Sequence, residues 1–334
     1  MAEGHTLAGS SRRGWLSAAA KIAVSIALVA LILWKVPVRP ALASVAALSP
    51  LTILLVVALS FLFVAIAAFR WQTALRWIGA RQSFRALFAD VLVSMAYNML
   101  LPTNIGGDVV RALRCAKRLE QPHQAWSSTI FERLVGLVAL VLLAVPGVIM
   151  APGRVREIAI AVGVCAVIGL AFVVFAHTPF RIAGKLLASR APSVAGAGER
   201  IARDLSGPLA TLRARLVMMA WSVVYQVVGL GILAVVVLDW GQPEMVWAIL
   251  GAIPLALVLT LLPVSIAGIG VRESLFVVLL GRFGMASDRA LSLAVVWLGS
   301  ALLTAFAGVV VLLIESARRP AAPTGADDAR GEAR

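Results

Sequence analysis

The sequence predicts an all-α integral membrane protein, and three observations carry that prediction. Hydrophobic residues fill 61% of the 334 positions and charged residues only 14%. A soluble domain holds about 45–50% apolar and about 25% charged residues, so lipid is the solvent this composition suits. Apolar runs recur from end to end, about 20 residues being needed for each crossing. The 30 lysines and arginines sit in short clusters between those runs, where charges set orientation. The net charge of +14 is therefore no sign of a nucleic-acid partner.

Six runs read as full spans: 15–34, 50–69, 131–151, 158–177, 216–238 and 290–314. The first has Arg12, Arg13 and Lys21 before or within it, like a signal peptide. It closes on Trp34, Lys35 and Val36 without a small-residue cleavage site, and reads as a retained helix. Two further apolar stretches, 86–118 and 244–281, are broken midway by proline and glycines. Residues 15–315 form one membrane domain in this reading, between a cytoplasmic tail (1–14) and a disordered cytoplasmic tail (316–334).

With the N-terminus inside, the cytoplasmic segments are the two tails, 70–85, 111–118 and 178–215. Together with Lys21 they hold 22 of the 30 basic residues, Arg70 among them. Seven fall in outer segments or the second broken stretch, and Arg133 lies within a span. That split predicts both termini in the cytoplasm. In the 178–215 loop, Ile201, Leu205, Leu212 and Leu216 fall at helical spacing. An amphipathic helix on the inner leaflet and a solvated linker both fit this pattern.

The two broken stretches are related. Leu100 to Arg111 reads LLPTNIGGDVVR, and Leu261 to Arg272 reads LLPVSIAGIGVR; seven of the twelve positions are identical without a gap. Pro102 and Pro263 end a helix, since proline lacks the N–H and disfavours helical geometry before it. Gly106 and Gly107 in one copy, and Gly268 and Gly270 in the other, permit a turn. A second helix then starts and carries Arg111 or Arg272. Three spans separate the copies, so the second enters from the opposite face. The expected arrangement is two re-entrant broken-helix hairpins related as inverted repeats, as in many secondary transporters. Two proline-kinked packing helices are the alternative.

Each second half-helix points its N-terminus at the break, where free N–H groups and the dipole favour an anion. Arg111 and Arg272 add permanent charge with a fork suited to phosphate. Asp108 and Glu273 have two open readings, as counter-charges or as titrating coupling groups. Asp108 also suits a plain first-turn position. Asn98, Asn104 and Ser265 flank the breaks, where polar side chains can satisfy loose backbone groups. Glu132 and Arg133 open the 131–151 span, either docking on the first hairpin or lying at the interface. His5, His123 and His177 lack partners at metal-ligand spacing, and neither a nucleotide loop nor a nucleophile elbow occurs, so no metal or cofactor is expected. Cys115 and Cys165 support no disulfide framework.

At three motifs the chain resembles the flippase-like transmembrane family typified by the membrane region of lysylphosphatidylglycerol synthase. They are Asn98 to Arg111, Glu132-Arg133-Leu134-Val135-Gly136, and Leu262 to Glu273, in that order. The resemblance covers about 15–315 and departs at Asn104, where relatives often carry a basic or other polar residue. It implies a lipid translocase without the aminoacyl-transferase domain of two-part relatives, and not an enzyme. The expected partners are a membrane lipid as substrate and lipid-biosynthesis enzymes. A membrane-embedded headgroup transferase and a non-transporting scaffold are the rival expectations.

Overall fold

The computed structural model describes residues 38–100, 106–150, 177–187, 192–260 and 270–318, with single positions between 160 and 171. Among these residues there are helices and turns but no strand. α1 is Val38–Ala46, α2 Pro50–Trp77, α3 Phe84–Leu100 and α4 Gly106–Ala116. α5 is His123–Met150, α6 His177–Leu187, α7 Pro192–Ser206 and α8 Leu212–Asp239. α9 is Met245–Leu259, α10 Val271–Arg282 and α11 Ser287–Ala317.

Four helices are long and apolar enough to cross a bilayer: α2, α5 over His123–Pro146, α8 and α11. At about 1.5 Å per residue, helices of this length exceed the roughly 30 Å hydrocarbon core. They contain most or all of the expected spans 50–69, 131–151, 216–238 and 290–314. The expected spans 15–34 and nearly all of 158–177 lie outside the described residues, as do both tails apart from residues 316–318. The two broken stretches include α3 then α4, and α9 then α10, with 101–105 and 261–269 outside the described residues.

Two expectations need correction. α2 does not stop at residue 69 but continues to Trp77, so Arg70 lies inside it and is buried. In the 178–215 region the four apolar positions do not share one helix. Leu205 of α7 is buried, a 3-10 turn follows over Pro208–Ala210, and Leu212 and Leu216 sit exposed on α8. The division falls there because proline has no N–H to continue α7, and the Thr211 hydroxyl caps α8 by accepting from Ala214 N–H at 3.3 Å. The Ser49 hydroxyl caps α2 in the same way, accepting from Thr52 N–H at 3.2 Å.

Helices α2 and α8, each of 28 residues, pack antiparallel. Phe63 stacks on Tyr225 with ring centroids 4.0 Å apart, and Phe69 lies 4.6 Å from Trp221. Phe63 and Tyr225 are each the fourteenth residue of their helix, so the midpoints touch. Each shorter hairpin helix packs on the long helix of the other half, α3 on α11 and α9 on α5.

Two apolar cores result. One joins Trp71 and Leu75 of α2 to Leu87, Phe131, Leu209 and Met218. The other joins Val236 of α8 to Ile249, Ile253, Phe276 and Leu293. They lie toward opposite ends of the α2–α8 pair, with the Phe63–Tyr225 stack between them.

The α3–α11 crossing is tight. A Cβ at Gly308 would stand 2.1 Å from the Leu92 carbonyl oxygen, whereas one at Gly299 of the same helix meets nothing within 4 Å. Replacing glycine by alanine inside a helix gains about 1 kcal/mol of propensity. Gly299→Ala should keep part of that gain. Gly308→Ala should instead lower stability by about 1–3 kcal/mol through overpacking. Thermal unfolding of the two detergent-solubilised variants checks the contrast.

Candidate functional site

α4 folds back along α3. Gly107 N–H donates to Asn98 Oδ1 at 2.8 Å, and a Cβ on Gly107 would stand 2.2 Å from the Ser94 carbonyl oxygen. No side chain fits at that approach. Further along, Arg114 reaches back to Asp90 at 2.8 Å and on to Glu315 of α11 at 2.8 Å, while Arg118 closes on Asp90 from the other side. Asp90 is fully buried between these two guanidinium groups. The first hairpin is thus closed by a hydrogen bond at its break and by ion pairs at its open end.

Beside it lies a cavity of about 320 Å³ between the two apolar cores. α2 presents Ser60, Phe63, Ala67 and Arg70 to it at intervals of three and four, which is one helical face. α3, α5, α8 and α11 contribute their own faces, and Arg111 and Arg272 line the cavity together.

Its charged wall centres on Glu132, 2% exposed. One oxygen of Glu132 accepts from Arg70, with Nε at 3.2 Å and Nη2 at 2.8 Å. The other lies 3.0 Å from Arg111 Nη2, an ion pair without hydrogen-bond geometry. Arg111 Nε lies 3.1 Å from Asp108 Oδ1, and Arg133 binds the second oxygen of Asp108. Aromatic faces carry the guanidinium groups: Tyr225 lies under Arg70 at 4.3 Å and Trp71 under Arg111 at 4.8 Å. Trp71 is held in turn by its N–H to Ser128 at 3.0 Å.

The second hairpin is wired differently. Arg272, 7% exposed, pairs with neighbouring Glu273 at 2.8 Å. The other oxygen of Glu273 accepts from Gly270 N–H at 2.7 Å, a one-sided cap on the start of α10. Glu273 is therefore a capping residue that also neutralises Arg272.

Of the residues marked by the sequence, Asn98, Asp108, Arg111, Glu132, Arg133 and Arg272 face one cavity. Gly106, Gly107, Gly270 and Glu273 form the helix starts behind it. Pro102, Asn104, Pro263, Ser265 and Gly268 lie outside the described residues. The sequence reading missed Arg70, Tyr225 and Gln226. For Tyr225 and Gln226 the available signal was polar side chains inside a run otherwise able to span a bilayer.

Four arginines and two carboxylates line the cavity, and Glu273 offsets one more cation. One positive charge remains uncompensated. In a low-dielectric setting that surplus favours an anion among apolar walls.

Removing one partner of a buried ion pair costs about 3–5 kcal/mol, because the other charge is left unpaired. Glu132→Gln should therefore destabilise the protein by that order. Glu315→Gln, at a site 38% exposed, should cost no more than about 1 kcal/mol. Chemical or thermal unfolding in detergent would separate the two.

No curated protein matches the chain. The family model described as the lysylphosphatidylglycerol synthase transmembrane region matches residues 18–314, which include both hairpins, the Glu132 cluster and the cavity wall. The chain thus belongs to the family of the lysylphosphatidylglycerol synthase transmembrane region, multi-pass membrane proteins related to lipid modification or transport.

Proposed function

We propose that the protein is a lipid translocase of the bacterial inner membrane. It moves an anionic phospholipid, glycolipid or isoprenoid-linked lipid between leaflets. The observation that carries this reading is the cavity at mid-height of the α2–α8 pair, where buried arginines from both hairpins meet with one positive charge to spare.

The headgroup occupies the cavity near Arg111 and Arg272 while the acyl chains stay in lipid. The two hairpins are re-entrant and open in turn to either leaflet, each sliding on the long helix of the other half. Movement is downhill, proton-coupled or driven by a partner. Both termini are cytoplasmic. Supporting that orientation, Arg76, Arg81, Arg118, Arg213 and Arg318 lie at the ends of α2, α4, α8 and α11 that gather together. The opposite end carries the Ser49–Asp239 contact.

Proteoliposomes with headgroup-labelled lipids and a membrane-impermeant quencher test the proposal. Arg272→Gln is the gentler variant, because Arg272 pairs only locally with Glu273. Its transport rate should fall at least about tenfold, equivalent to about 1.4 kcal/mol in the barrier. If wild-type protein moves no lipid in a panel that includes isoprenoid-linked sugars, translocation is wrong. Covalent product from lipid plus donor would point instead to a transferase.

A further inference from the structure

Arg70, Arg111 and Arg272 are all engaged by carboxylates, so the donor that meets a ligand is sought among the guanidinium nitrogens those carboxylates leave unmet. Arg70 lines the cavity and is 5% exposed. Its Nε and Nη2 are bound by Glu132, and its flat face rests on Tyr225. Its Nη1 has no hydrogen-bond partner among the described residues and is closed to solvent. A buried charged donor left unmade is costly, and an incoming acceptor relieves that cost.

Gly136 of α5 stands beneath the Arg70 guanidinium, and a Cβ there would lie 3.3 Å from Nη2 and 3.6 Å from Nη1. The Gly136 carbonyl is fixed from the other side by Gln226 Nε2 at 3.1 Å. Gly136 therefore leaves a methyl-sized slot beside Arg70 Nη1; Arg111 Nε also lacks a hydrogen bond but lies 3.1 Å from Asp108 Oδ1. The charge count around that slot has a definite value. Arg70, Arg111 and Arg133 face Asp108 and Glu132, leaving a single positive charge.

We infer that Arg70, through Nη1 and the space left by Gly136, is the direct binding residue for a singly charged oxyanion of the phosphodiester class. The inference rests on the translocation reading only in taking that oxyanion from a lipid headgroup. An acceptor entering the cavity completes the donor set of the guanidinium. A doubly charged phosphate exceeds the local surplus, and a zwitterion brings a cation the wall opposes.

Binding to the purified full-length protein in a neutral detergent, followed by tryptophan fluorescence, tests this without requiring transport. The probes are dihexanoyl phosphatidylglycerol, dihexanoyl phosphatidylcholine and inorganic phosphate. Both lipids carry the phosphodiester, and the wall's surplus positive charge opposes the choline ammonium, so wild type should prefer the phosphatidylglycerol by at least about tenfold, or about 1.4 kcal/mol. Arg70→Gln should remove that preference, Gly136→Ala should weaken phosphatidylglycerol binding several-fold, and Arg213→Gln on the outer part of α8 should leave it unchanged. Equal binding of both lipids by wild type overturns the inference, as does an Arg70→Gln protein that folds and binds like wild type. Should Arg70→Gln not fold, Gly136→Ala decides: unchanged affinity overturns the inference and weakened affinity supports it. If free phosphate binds as tightly as the lipid and Arg70→Gln abolishes both, the Arg70 contact stands and the lipid reading falls.

Discussion

The architecture around the cavity depends on one carboxylate. Glu132 of α5 receives Arg70 from α2 and Arg111 from α4, so a single side chain ties three helices together. Without it Arg70 would be an unpaired guanidinium in a low-dielectric interior, which is strongly disfavoured, and Arg111 would keep only Asp108. Asp108 and Arg133 extend the same network along the hairpin. The arrangement is directional as well as cohesive, since planar guanidinium groups fix the angle at which each helix approaches.

The two hairpins share a backbone plan and differ in their electrostatics. Arg111 is tied to another helix through Glu132, and the open end of its hairpin reaches α11 through Arg114 and Glu315. Arg272 pairs with its own neighbour, Glu273, whose other oxygen caps α10. The first hairpin is thus cross-linked by charge to the rest of the bundle. Around the second, Phe276 and Leu280 sit in an apolar core with α8, α9 and α11. Apolar contacts are less directional than ion pairs, so the two hairpins resist displacement by different physical means.

Much of this was legible in the sequence, and the reasons are specific. Glycines paired after a proline, followed by arginine, mark α4 and α10, because few residues permit a break inside an apolar run. Asp108, Glu132 and Arg133 stand out for the same reason. Arg70 was not legible as a buried group: a run of apolar residues ends naturally at its first arginine. What keeps that arginine inside the bundle is a glutamate 62 residues later in the chain. Tyr225 was hidden within a run able to span a bilayer, and its importance comes from contact with Phe63 on a distant helix. The division between α7 and α8 was missed because matching apolar spacing continued across Pro208.

The stacked pair Phe63 and Tyr225 has a mechanical consequence. These rings sit at the midpoints of two antiparallel helices of equal length. Any rotation of one half against the other about that point moves atoms in proportion to their distance from it. The ring contact is then the fulcrum and changes least, while groups toward the helix ends, Glu315 among them, travel further. Aromatic faces suit a fulcrum, since they slide over one another with little change in contact area. Arg70 rests on the Tyr225 ring, so the cavity's charged wall is anchored at the stillest place in the molecule.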